Sequence, residues 1–143
     1  MRVRAAVVAL ALAALCPACA RSGRKPVFPV QGQVLVKGRP AARAQVTFHP
    51  VEGSGPDTVR PVGHVDERGR FRLTTYAEGD GAPEGEYRVT VQWFLATRTR
   101  GGADDYQSVN YLPARYGRAE TSGLRATVTR GDNTLPTIEL KPN

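Results

Sequence analysis

Pro83-Glu84-Gly85-Glu86-Tyr87-Arg88-Val89-Thr90-Val91-Gln92-Trp93 decides how the rest of this 143-residue chain is read. Pro83 has its φ preset for the second position of a turn, and Gly85 suits the fourth. The residues then alternate: Tyr87, Val89, Val91 and Trp93 point one way, and Arg88, Thr90 and Gln92 the other. A period of two is a strand with one buried and one solvated face. The stretch holds the only Trp and the densest β-branched and aromatic run beyond the N-terminus. It is the expected central strand of a sheet.

Working outward, the same period recurs. Val30, Val34 and Val36 share a face, with Gln31, Gln33 and Lys37 opposite and Lys37-Gly38-Arg39-Pro40 as the break. Ala44–His49 is a second strand with Val46 and Phe48 inward, ended by Pro50. Val62–Asp66 is a third. In Asp66-Glu67-Arg68-Gly69-Arg70-Phe71 the Asp66 side chain can cap a turn and Gly69 can take φ > 0, so the chain reverses tightly. Phe71 and Leu73 then face inward while Arg70 and Arg72 face out. Beyond Trp93, residues 97–116 lack a clear period and read as a long surface excursion with a short helical turn near Ala114. Leu124, Ala126 and Val128 form a sixth strand, and Ile138 with Leu140 a last one. Seven short strands at this spacing, with 11 Pro, 15 Gly and no crossover helix, predict an all-β, seven-stranded antiparallel, Ig-like sandwich.

The N-terminus is not part of that fold. Met1–Arg4 is basic, and Ala5–Leu15 is an 11-residue apolar run, too short to span a bilayer but the right length for a signal peptide core. Cys16 and Cys19 follow, and no cysteine comes after them. A disulfide across Pro17-Ala18 would staple nothing. Cys19, preceded by the small Ala18, resembles the lipidated cysteine of a bacterial lipobox, although Cys16 and Pro17 depart from the usual residues. Cys16 would put bulky Leu15 at the cleavage point. Simple signal cleavage and a retained anchor are the alternatives. Two or three acyl chains on one cysteine hold a protein stably on a membrane. Without Arg2 and Arg4 the chain carries 18 basic and 13 acidic side chains, and the charges alternate with apolar residues instead of clustering. Export argues against nucleic acid as a partner and against cytosolic cofactors.

Gly32-Gln33-Val34, Lys37–Ala41 leading to Ala44–Phe48, Asp66–Phe71 and Gly85–Val89 resemble the carboxypeptidase regulatory-like domain, a transthyretin-like (prealbumin-like) sandwich. Leu112–Tyr116 with Thr121–Leu124 is similar to a version found in small lipoproteins of planctomycete-type bacteria. The resemblance covers roughly Val30 to Leu140. It rests on turn and core residues, and it implies a non-catalytic extracytoplasmic module. The expected organisation is a lipoprotein signal peptide over 1–18, lipidated Cys19 with a tether over 19–29, and the sandwich domain over 30–142. The expected location is the cell envelope, at the outer membrane or the periplasmic face of the inner one.

No catalytic or metal site is expected, and no cofactor. His49 ends a strand and His64 sits within another, and 15 residues separate them without a partner set. The related hydroxyisourate hydrolases carry a C-terminal Tyr-Arg-Gly-Ser that this chain lacks, and intradiol dioxygenases a close His pair that it also lacks. Asp104-Asp105 with Asn110 has no EF-hand spacing and reads as a solvated acidic loop. Two features could bind a partner. Tyr106, Tyr111 and Tyr116 recur every five residues and could stack on a glycan or anchor a peptide through the 104–116 loop. Arg70, Arg72 and Arg88, with Arg68, could form a basic stripe on two neighbouring strands that meets anionic glycans or lipid headgroups. An envelope protein or a glycan is the expected partner class, beside the membrane itself.

Overall fold

The computed structural model describes residues 23–53, 55, 58–99 and 106–142. The signal peptide, Cys19, the first residues of the tether and Asp104-Asp105 lie outside the described residues. The strands are β1 (Val27–Phe28), β2 (Val30–Val36), β3 (Arg39–Pro40), β4 (Gln45–Pro50), β5 (Val62–His64), β6 (Arg70–Thr74), β7 (Ala82–Pro83), β8 (Gly85–Gln92), β9 (Phe94–Arg98), β10 (Tyr106–Asn110), β11 (Leu124–Val128), β12 (Asn133–Thr134) and β13 (Ile138–Leu140). A 3₁₀ turn spans Ala114–Gly117. All seven anticipated strands are present, and the fold is the expected β-sandwich.

Two half-sheets make it. One runs β11-β8-β4-β5, and the other is β6-β2 with β12 and β13 following one another along the outer edge of β2. They join where β6 pairs with β5 through Leu73 and Thr74 and with β2 through Arg70–Arg72. The opening stretch forms β8, the longest strand, laddered to β4 on one side and β11 on the other. Val34, Val36, Phe71, Leu73 and Leu140 from one half meet Val46, Phe48, Tyr87, Val89, Val91 and Val128 from the other. Phe48 and Tyr87 pack with ring centroids 5.4 Å apart.

Not every pairing is antiparallel. β12 and β13 run parallel to β2. Strand parity requires it. Every step along β2-β6-β5-β4-β8-β11 is antiparallel, so β11 runs opposite to β2. The turn after β11 reverses the chain once more, and it reaches the edge of β2 running the same way. Pro136, which has no N–H for the ladder, falls between β12 and β13.

The turns use the expected chemistry. Asp66 Oδ1 accepts hydrogen bonds from the N–H groups of Arg68 (2.9 Å) and Arg70 (2.8 Å), and Gly69 sits at φ 81°. Asp80 performs the same task before β7. Its carboxylate accepts from the N–H groups of Thr75, Tyr76 and Ala77 at 2.7–2.9 Å. Gly81 then passes so close to β1 that a Cβ would run into the Phe28 carbonyl. β1 is thereby held against β7, at the end of the sandwich where β8 begins.

Two expectations about β8 change. Its outer face is not uniformly solvated: Thr90 is buried, and its Oγ1 shares a 2.9 Å hydrogen bond with His49 Nε2. Trp93 is half-buried at the rim of the core, where its indole N–H donates to the Ala42 carbonyl at 2.8 Å.

Candidate functional site

Residues 94–98 and 106–110, of which those from 97 onward were expected to be irregular, form a separate antiparallel ribbon that follows β8. Alternation is present here, but it has no buried face to mark it. Cross-strand partners share a face. Phe94, Ala96, Arg98, Tyr106, Ser108 and Asn110 therefore occupy one side, and Leu95, Thr97, Gln107 and Val109 the other. Tyr111 continues the second side, its ring 5.8 Å from that of Trp93. Asn110 fixes the root of the ribbon: its Oδ1 accepts from the N–H groups of Trp93 (3.1 Å) and Leu112 (3.2 Å). That occupies the side chain suggested as a cation ligand.

The three tyrosines separate. Tyr106 and Tyr111 are exposed, 57% and 58%, on opposite sides of the ribbon. Arg98 lies over the Tyr106 ring at 5.7 Å and donates to its hydroxyl at 3.3 Å. Tyr116 is buried in the 3₁₀ turn, and its hydroxyl accepts from Arg115 Nη2 (3.0 Å) and the Lys141 N–H (3.3 Å). Burial alone would raise the Tyr116 phenol, but these donors outweigh it and hold the pKa below the ordinary value. Tyr116 thus ties the segment after the ribbon to the end of β13, and it is a structural residue. The three rings do not line one groove.

The arginine stripe also divides. β4 and β5 lie between β6 and β8, so Arg70 and Arg72 stand apart from Arg88. Arg88 pairs with His49 on one side and Arg125 on the other. Arg70 is engaged by Asp66 at 3.5 Å, and Arg68 lies in the turn before it. The two histidines stay apart as well. His64 is opposite Gln45, and His49 stands four residues further along β4, about 13 Å away. Burial and Arg60 push the His49 imidazole below its usual pKa, against a smaller opposing pull from Glu120. Among the described residues, no group of three or more His, Cys, Asp or Glu side chains could hold a metal.

What the ribbon does show is apolar surface. Of the five exposed large apolar side chains among the described residues, four belong to it or its root: Phe94, Tyr106, Val109 and Tyr111. Phe94 and Val109 were not anticipated. Phe94 lies in an unbroken apolar run, Phe94-Leu95-Ala96 after Trp93, and neither Phe94 nor Val109 stands in a period-two pattern that would mark it.

No known family's sequence profile matches the chain, and no curated protein matches it. Solved structures with a similar course include a 9R-lipoxygenase from Cyanothece (15% identity, 80% of this chain and 16% of that one, TM-score 0.43). A DUF3823 family protein from Parabacteroides merdae shows 16% identity over 83% of this chain and 48% of that one, with TM-score 0.42. A candidate carbohydrate-binding protein from Pseudomonas aeruginosa shows 13% identity over 82% and 89%, also with TM-score 0.42. The chain spans about half the length of the second of these and a sixth of the first.

Proposed function

We propose that the protein is a lipid-anchored envelope lipoprotein whose non-catalytic, carboxypeptidase regulatory-like sandwich presents the β9–β10 ribbon to a protein partner. One observation carries this reading: the exposed apolar side chains gather on a ribbon that leaves the sandwich at the end opposite the tether. β1, the continuation of the tether, pairs with β7 just before β8 begins, whereas the ribbon starts just after β8 ends. β8 spans about 26 Å, so a lipid at Cys19 would hold the molecule with the ribbon pointing away from the bilayer.

Exposed apolar clusters of this kind mark interaction sites. A two-stranded ribbon is at best marginally stable alone, and among the described residues neither of its outer edges pairs with another strand. An extended peptide from a partner satisfies both needs by adding a strand. A glycan would instead favour aromatic rings on one surface, and here Tyr106 and Tyr111 face opposite ways. Within the ribbon and its root, the Trp93–Tyr111 pair is the feature that favours a sugar, as a single stacking surface.

The test is a photoreactive amino acid placed at Val109 or, as control, at Arg125, in the exported protein in intact cells. A defined protein adduct from position 109 and none from 125 is expected. Equal adducts from both, or none from 109, would overturn the ribbon as the docking element.

A further inference from the structure

A second surface lies on the outer side of the other half-sheet, and the strand register assembles it. Gln31 of β2 stands opposite Arg72 of β6 on one side and Thr134 of β12 on the other. The β5–β6 pairing, continued by one residue, places His64 beside Arg72. The result is a row across four strands: His64, Arg72, Gln31, Thr134. Two residues along, about 7 Å, a second row holds Asp66, Arg70 and Gln33, with Thr137 beyond. Together they border a shallow hollow of about 580 Å³.

The second row is internally satisfied. Arg70 pairs with Asp66, Gln33 donates to the Arg68 carbonyl at 3.2 Å, and Thr137 donates to Gln33 at 3.3 Å. In the first row Gln31 Nε2 donates to Thr134 Oγ1 at 3.1 Å, which leaves the Gln31 carbonyl oxygen open. Arg72 is exposed and has no ion-pair or hydrogen-bond partner among the described residues. Its guanidinium is a planar fork matched to a carboxylate. Around it stand an imidazole, a primary amide and a hydroxyl, groups that both donate and accept, as sugar hydroxyls require.

We propose that this cleft binds an acidic polysaccharide, with Arg72 taking a uronic-acid carboxylate and His64, Gln31 and Thr134 contacting the adjacent hydroxyls. The concave, amide-flanked setting favours a saccharide chain over a lipid headgroup plane. Asp132, which lines the adjoining hollow beside Arg72 and Thr134, bounds the anionic site on that side. The cleft is separate from the ribbon and does not depend on it.

The experiment is affinity electrophoresis of the full exported protein through gels containing polygalacturonate or neutral dextran, with phosphatidylglycerol vesicles as a third arm by flotation. Retardation by polygalacturonate and not by dextran is expected, weakening as salt rises. Arg72→Ala should weaken it about tenfold and Arg72→Lys several-fold, because lysine loses the bidentate geometry. Arg125→Ala, which removes the same charge from β11, should leave it unchanged. Overturning results are no retardation of the wild type, an equal loss in the Arg125 variant, or Arg72-dependent binding to the vesicles alone. Unchanged thermal midpoints show that each variant is folded.

Discussion

Asp66 and Asp80 show how single side chains shape this fold. The Arg70 N–H holds the Asp66 carboxyl below its usual pKa against the opposing effect of desolvation, helped by the Arg68 N–H and the Arg70 charge. At Asp80 burial pulls upward, but the N–H groups of Thr75, Ala77 and Tyr76 outweigh it and the pKa again falls. A carboxyl lower in the folded than in the unfolded state stabilises the fold above the unfolded value. That contribution is lost as pH drops through the folded value, below the ordinary 3.8. Chemical denaturation should therefore show stability falling below about pH 4, with a smaller fall for Asp66→Asn. Identical slopes would show that the Asp66 turn bonds do not depend on its charge. The Asp66–Gly69 turn was legible from sequence because both signals are local. The Asp80 cap was not, since Glu78–Pro83 reads only as polar.

At the scale of elements, alternation located the seven core strands and missed the two-residue pieces β1, β3, β7 and β12, which are too short to show a period. It failed for β9 and β10, where neither face is buried and the apolar residues sit on both. Such a ribbon is held by its own ladder and by Asn110 at its root. The amides of β9 and β10 should exchange with solvent at least about a hundredfold faster than those of Val89 and Val91 in the core ladder. Hydrogen exchange read by mass spectrometry measures this directly. Comparable protection in the isolated protein would show that the ribbon is already covered, which removes the basis for its docking role. The sites were less legible than the strands. The arginine stripe assumed that β6 and β8 are neighbours, and strand order is not contained in any strand's own sequence. The His64–Arg72–Gln31–Thr134 row escaped notice for the same reason, because it joins residues up to 103 positions apart.

For the whole molecule, β1 and the ribbon lie at opposite ends of β8, which suits the proposed protein held at one end and bound at the other. Cys19→Ala should abolish incorporation of labelled fatty acid and release the protein from the membrane fraction. Unchanged labelling would remove Cys19 as the anchor and with it the proposed orientation. The all-β class, the seven core strands and their inward faces are legible in the residues alone, because burial on one side of a strand imprints a period of two. So is the Asp66–Gly69 turn, because turn chemistry is local. Only the tertiary structure decided which strands are neighbours, that β12 and β13 run parallel to β2, that Tyr116 is buried while Tyr106 and Tyr111 are not, and that the stretch after Trp93 is an exposed ribbon. Those outcomes depend on pairings between distant segments, and an exposed ribbon or a cross-strand row leaves no hydrophobic period from which it could be read.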